Sequence, residues 1–482
     1  MKKIALILSL ALVLVPFSLF IGCGGGVNRT QYQIDCVLDG DTLRGEQTVR
    51  YFNNTENSIT QLKFNLFGNA FRDGAEYNPI SAQYLSAAYP NGINYGGMEI
   101  ISVTQDGDAV KFQVCGQDQN ILAVSLKNEV FPSESVEVVI KYTLKLANVV
   151  SRTGWTEKVV NLGNFYPILC GYDGGFYECV YYAAGDPFFS DCADYVVKLT
   201  CDKEYNVAAS GKLFEKIEDG STATATYKID NARSFALVLS RGFESAVDRS
   251  TGTEITYYFY DDSEPDKSLS AAVKAFKLFS DKFGEYPYPT YSVVQTEFVQ
   301  GGMEYPALVM ISDKLEPKAY YEVIAHETAH QWWQSVVGNN EIEHGFLDEG
   351  LAEYSVVLFY ENYPEYGMKR EQLIENTEKT YKIFCSVSDK LFGKVNTVMN
   401  RSLKDFTSEY EYVNMAYVKP CIMYEYLRKT VGDKAFFAAL RKYYSQFAFK
   451  NAAPDDLVGV FEKCGADTNG FFESFFNGKV II

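Results

Sequence analysis

VIAHETAHQWW, residues 323–333, carries two of the three histidines of a 482-residue chain. His326 and His330 stand four residues apart, with Glu327 beside the first. The surrounding text, EPKAYYEVIAHETAHQWWQSVVGNN over 316–340, reads as one helix, with Pro317 in its first turn and Gly338–Asn339 at its end. On such a helix both imidazoles lie one turn apart on one face and can converge on a single ion. Glu327 is turned about 100° round the axis. It is poorly set as a third ligand and well set to reach water beside the metal. Two ligands and one general base is the division of labour of the HExxH pattern. Two buried core histidines would leave the glutamate unexplained.

A catalytic zinc takes a third protein ligand and keeps one position open. Position 336, six residues after His330, is Val, so a third histidine at that spacing is excluded. His344 stands in EIEHGF and reads as loop, at the surface or behind the ligands. FLDEGLAEYSVVLFYE, 346–361, reads as a second helix and offers Asp348, Glu349 and Glu353.

Outward from this pair of helices, the chain divides in two. From about Gln31 to Phe243 it alternates apolar and polar residues, as in QYQIDCVLDGDTLRGEQTVRYFN (31–53), ESVEVVIKYTLKL (134–146), DYVVKLTC (194–201) and TATATYKID (222–230). Turn clusters such as NGINYGG and GYDGG separate the runs. Many short strands without a long helical pattern predict a sandwich or saddle-shaped sheet over 27–247. Past 248 comes one more strand, EITYYFY, and then EPDKSLSAAVKAFKLFSDKFG (264–284). There Leu269, Ala272, Val273, Phe276, Phe279 and Phe283 recur at helical spacing before Gly284. YSVVQTEFV and PALVMIS read as strands, and beyond Lys318 nearly everything reads as helix. The predicted layout is a β domain over 27–247 and a mostly helical domain over 248–482.

With 47% hydrophobic and 15% aromatic residues the chain has the composition of a folded protein. Its net charge of −18 argues against a nucleic-acid partner, which needs a basic footprint. An acidic field favours cationic partners, including a peptide's terminal ammonium, and the same charge serves solubility. MKKIALILSLALVLVPFSLFIGCGGG opens the chain with Lys2 and Lys3 ahead of an apolar stretch from Ile4 to Ile21, which reads as a secretion signal over 1–22. It resembles a bacterial lipoprotein signal, which implies that Cys23 becomes the lipidated first residue. The alternative is an uncleaved N-terminal anchor. Either reading predicts an extracytoplasmic, membrane-anchored protein. Nine cysteines remain without a CxxC pair, compatible with up to four disulfides or with free thiols.

HETAHQWW and, twelve residues later, FLDEGLAEY, with eighteen residues between His330 and Glu349, together resemble the gluzincin aminopeptidases, the family of membrane alanyl aminopeptidase and the leukotriene hydrolase. The resemblance implies a thermolysin-like catalytic domain behind the β domain and one Zn²⁺ ion held by His326, His330 and Glu349. It also implies Glu327 as general base. Asp348 stands where the family usually has Asn, and Glu353, one turn after Glu349, is set to hydrogen-bond a ligand histidine. EFVQGGMEYPALV (297–309) resembles the family's GxMEN segment. This implies that Gly301, Gly302, Met303 and Glu304 form the substrate site, with Glu304 holding the free α-ammonium and Gly admitting the substrate backbone. Tyr305 replaces the family's Asn. EYVNMAYVKPCIMYEYL (411–427) resembles the segment of the family's catalytic tyrosine. That maps oxyanion stabilisation to Tyr417, with Tyr412 as the nearby alternative, Lys419 following and Pro420 in place of Gly. The resemblance further leads us to expect no counterpart of the family's large C-terminal helical domain, and with it a more open cleft. The function implied is zinc-dependent removal of N-terminal residues from peptides. A thermolysin-like endopeptidase, another zinc hydrolase using the same site, and a surface lipoprotein that binds peptides without cleaving them are the alternatives.

Overall fold

The computed structural model describes residues 28–480, apart from 394, 466, 467, 469 and 479. The expected signal over 1–22 and the expected lipidation site Cys23 lie outside the described residues.

The first strand, Gln31–Asp39, buries Tyr32, Ile34, Cys36 and Leu38 on one face, as the period of two requires. It turns at Gly40, φ +62°, into Thr42–Phe52, in register from Asp39 opposite Thr42 to Gln31 opposite Arg50. These strands lie inside an eight-stranded sheet. Its spatial order is Lys212–Asp219, Thr222–Ala232, Ala193–Asp202, Gln31–Asp39, Thr42–Phe52, Ser135–Lys145, Gly97–Gln105 and Asp108–Ala109. All neighbours described for Gln31–Asp39 are antiparallel except Ala193–Asp202, which runs parallel to it. Two four-stranded sheets complete the first domain.

A five-stranded sheet opens the second part, in the order Glu244–Asp248, Glu254–Phe259, Thr290–Thr296, Leu308–Ser312 and Gly302–Met303. The three inner strands run parallel and both edges antiparallel. Glu244–Asp248, which straddles the expected 247/248 boundary, thus joins this second sheet. The strand's own alternation fits either sheet, and its pairing with Glu254–Phe259 decides the matter.

The long helices are α1 (Pro265–Phe283), α2 (Pro317–Ala329), α3 (Phe346–Asn362), α4 (Arg370–Phe392), α5 (Lys419–Val431), α6 (Asp433–Phe447) and α7 (Pro454–Lys463). Helix α1 is the crossover between two parallel strands and ends at Gly284, φ +149°. Among the described residues no helix is long and apolar enough to cross a membrane. The nine cysteines from Cys36 to Cys464 are unpaired.

The helix read over 316–340 stops at Ala329, with His330 at its C-terminus. Trp332 and Trp333 are fully buried. Trp332 meets Phe276 and Phe279 at 5.6 and 5.9 Å, and Trp333 meets Phe283 at 4.7 Å. Burying two such side chains is worth about 2–3 kcal/mol each, more than the helical bonds given up. The chain then turns, held by Arg233 of the first domain, whose Nε donates to Gln334 O at 2.6 Å. Val337–Gly338 forms a short strand parallel to Lys450–Asn451.

Candidate active site

His326 and His330 face α3, where Glu349 sits in the first turn. The three inward atoms form a near-equilateral triangle. His326 Nε2 is 3.1 Å from His330 Nε2 and 3.1 Å from Glu349 Oε2, and His330 Nε2 is 3.2 Å from the same oxygen. A tetrahedral ion with bonds near 2.05 Å has its ligand atoms about 3.3 Å apart. The donor set, two imidazoles and one carboxylate, and the triangle both fit Zn²⁺. The outer nitrogens are also engaged, with His326 Nδ1 3.2 Å from Glu353 Oε2 and His330 Nδ1 donating to Trp333 O at 2.9 Å. These bonds aim each Nε2 inward, as metal-binding imidazoles require. Burial alone would lower both histidine pKa values, but the carboxylates beside them, above all Glu349, reverse this and raise them. Burial would likewise raise Glu349, yet the two histidines hold it well below the usual carboxylate range.

Glu304, Glu327 and His330 form a second group whose ligating atoms lie within 4.8 Å of one another. Glu304 and Glu327 are both buried, and each has one oxygen, Glu304 Oε1 and Glu327 Oε2, with no protein partner. Burial pushes the Glu327 pKa up to about 7, against the pull of His326 and His330. Burial also raises Glu304 well above its usual range, and the adjacent Asp186 carboxylate adds to the effect. The site is therefore short of positive charge.

Gly302 and Met303 form the edge strand of the five-stranded sheet and run past α2. A Cβ on Gly302 would stand 2.3 Å from Glu327 Oε1, so this glycine makes room for the glutamate of α2 itself. A Cβ on Gly301 would meet nothing closer than Val323 Cγ2 at 3.5 Å, which leaves that position open to the cavity. Met303 is buried, its sulfur 2.8 Å from Arg152 Nη1. Tyr305 turns away from the cavity. Its hydroxyl donates to Asn164 Oδ1 of the first domain at 2.6 Å, in space that any side chain at Gly163 would fill.

Tyr417 lies in a wide helical turn, Asn414–Val418, that runs directly into α5. Such turns project a side chain out of the regular helical register. Its hydroxyl donates to Glu349 Oε1 at 2.5 Å, and its ring stacks on His326 at 5.9 Å between centroids. The close approach of α3 and α5 depends on Gly350, where a Cβ would come 2.5 Å from Pro420. Tyr412 packs edge-on against Tyr417 and is buried. Lys419 points the other way. It is fully buried and donates to Thr397 O at 2.5 Å and Phe475 O at 2.6 Å, and burial lowers its pKa to about 7. His344 ends a short helix, with its Nδ1 2.7 Å from Asn400 Oδ1, and takes no part in the ligand triangle.

His326, His330, Glu349, Glu327, Glu304 and Tyr417 line a cavity of about 300 Å³ between the two domains. Several of its residues had no signal in the sequence, among them Asp186, Arg152 and Glu322. Asp186 enters from the first domain and pairs with Arg152, a buried guanidinium placed over the Phe188 and Phe298 rings. Glu322, one turn before His326, also lines it.

Residues 267–475 match the model of the peptidase family M1 domain. Over 212 residues the chain is 28% identical to Aminopeptidase M1-B of Oryza sativa subsp. japonica, an alignment covering 41% of this chain and 23% of that protein. Over 234 residues it is 24% identical to Aminopeptidase N of Lactococcus lactis subsp. lactis, covering 44% and 26%. The matches thus span about a quarter of those relatives' length. The M1 zinc metallopeptidase from Deinococcus radiodurans superposes with a TM-score of 0.67 at 16% identity, over 95% of this chain and 96% of that one. A mutant of that enzyme bound to a Tyr-Ser-Ala substrate gives 0.64 at 17%, over 94% and 95%. Residues 267–475 thus match the peptidase family M1 domain, and the chain as a whole, with its β domain in front, has the fold of the M1 zinc metallopeptidase from Deinococcus radiodurans.

Proposed function

We propose that the chain is a zinc-dependent aminopeptidase that removes single residues from the free N-termini of peptides. The observation that carries this is Glu304, a buried carboxylate with an unpartnered oxygen beside Glu327 and His330. An α-ammonium entering the cavity would stabilise the charged form of this buried carboxylate and be held by it beside the metal site. His326, His330 and Glu349 would hold one Zn²⁺ ion, which when bound would supply Lewis-acid polarisation of the scissile carbonyl and a water of lowered pKa. Glu327 takes the proton of the attacking water and passes it to the leaving amine. Its raised pKa suits both halves of that transfer. Tyr417 offers its hydroxyl to the developing oxyanion. In the structure that hydroxyl lies on the Glu349 oxygen turned away from the histidines, a small swing from the site of reaction. The apolar N-terminal stretch and Cys23 support a further reading, that the enzyme works outside the cytoplasm on a lipid anchor.

Digestion of a ten-residue peptide by the zinc-loaded protein, followed by mass spectrometry, tests the assignment. A ladder of products shortened one residue at a time from the N-terminus is expected. Internal fragments would make the protein an endopeptidase, and an intact peptide would make it a binder.

A further inference from the structure

The two ends of the cavity differ in a way that bears on which peptides enter it. On one side of the ligand triangle Glu304 adjoins Glu327 and His330. On the other, Glu353 adjoins the second imidazole, His326, through Nδ1. Glu322 sits one turn before His326 on the same face of α2 and lines the same cavity. The Glu322 carboxylate is half-buried and pairs with no lysine or arginine among the described residues. It accepts one long hydrogen bond from Tyr360 at 3.4 Å, and Lys318, a turn earlier, faces it without forming an ion pair. Burial, and then Glu353, disfavour its charged form. Two adjacent carboxylates therefore stand on the wall beyond the metal site without an ion-paired lysine or arginine among the described residues; the cationic groups facing Glu322 are Lys318 and His326, the latter neutral when it ligates.

We infer that Glu322, with Glu353 beside it, selects peptides whose second residue is lysine or arginine. The inference rests on the aminopeptidase reading. With the ammonium on Glu304 and the scissile carbonyl at the ligand triangle, the chain beyond the scissile bond continues to the His326 side. The side chain of the second residue then lies against α2 one turn before His326. A cationic group there relieves the repulsion between Glu322 and Glu353 and gains a charge-assisted hydrogen bond in a site shielded from bulk water. Glu353 is already held by His326, so Glu322 is the residue free to discriminate.

The test uses zinc-loaded protein and the amides of Ala-Lys-Ala, Ala-Leu-Ala and Ala-Glu-Ala. The wild type is expected to favour lysine over leucine roughly ten-fold in kcat/KM, and leucine over glutamate. Glu322→Gln should bring the lysine-to-leucine ratio close to one, and Glu322→Lys should turn the preference towards glutamate. The second variant keeps the test decisive if the first is poorly folded. Calorimetric binding of the same peptides to Glu327→Gln protein, with and without the Glu322 change, reads the preference without catalysis. Cleavage of all three peptides at equal rates, or a lysine preference that survives at Glu322→Gln, overturns the inference and leaves the aminopeptidase reading standing. Lysine-selective binding lost with Glu322, but no cleavage, supports the inference and overturns that reading alone. No cleavage and no selectivity in binding overturns both.

Discussion

Gly302→Ala places one methyl group where the structure has no room for it. The new Cβ would lie 2.3 Å from Glu327 Oε1 and 2.6 Å from both Cδ and Cγ of the same side chain. Ordinary contact begins near 3.4 Å, so the carboxylate must retreat by about 1 Å or the edge strand must shift by as much. Glycine is not needed at 302 for its backbone, because its φ lies outside the left-handed region. A displacement of about 1 Å in a reacting group costs roughly a hundred-fold in rate, or about 2.7 kcal/mol of barrier. The three residues proposed to hold zinc are not those a Cβ at 302 would meet, so zinc content should match the wild type while kcat falls about a hundred-fold. Overpacking should also lower stability by about 1–3 kcal/mol. Gly301→Ala is the control for glycine as such, since its Cβ meets only Val323 at an ordinary 3.5 Å, and its effect should be at least ten times smaller. Kinetics on a free-N-terminal tripeptide, with zinc measured on the same samples, decides the matter. A Gly302→Ala protein with full zinc and kcat within about three-fold of wild type would refute the claim that this glycine exists to seat Glu327.

Other expectations follow from the same geometry. Glu327→Gln removes the proton carrier and should reduce kcat at least a thousand-fold while zinc remains bound, as read by metal analysis and single-turnover assays. Because burial raises the Glu327 pKa to about 7, the carboxylate form is lost as pH falls below that value. The acid limb of kcat/KM should disappear in this variant. Glu353→Gln weakens the support of His326 Nδ1 and should lower zinc affinity by about 10–100-fold in competition with a chromophoric chelator. Protons and metal compete for His326 and His330, whose neighbours raise their pKa values. Zinc retention on dialysis should therefore fall as pH is lowered, and a metal content that stays constant between pH 8 and pH 5 would contradict this. Arg233→Ala strands Gln334 O, Ser190 O and Lys450 O at the domain boundary and should cost about 3 kcal/mol or more in denaturant unfolding.

What the sequence revealed about this site, and what it hid, divides by the range of the interactions. His326 and His330 could be placed because four residues make one helical turn, a purely local rule. Glu349, Glu304 and Tyr417 lie on other elements, and only the family resemblance connected them to the pair. The structure brings all five around one cavity. The β-then-helical order was legible from the change of period near residue 248. The strand at Glu244 was not, because a five-residue run carries no mark of which sheet it joins. The early end of α2 was hidden too. Nothing in QWWQSVVG announces that two tryptophans will leave the helix to fill the space beside α1, or that Arg233, about a hundred residues away, will take the Gln334 carbonyl. Gly302, read as an opening for substrate, lines the cavity and also clears space for Glu327, which the sequence did not announce. Asp186 and Arg152 stood in unremarkable loop and strand text, and only the packing of the two domains brings them to the cavity.

Whether Glu304 makes the proposed zinc site that of an aminopeptidase is decided by one short peptide. It is offered to the zinc-loaded protein with a free and with an acetylated N-terminus, each with and without a zinc chelator. Loss of the first residue from the free peptide alone, abolished by the chelator, is expected. Equal cleavage of the acetylated peptide would contradict it.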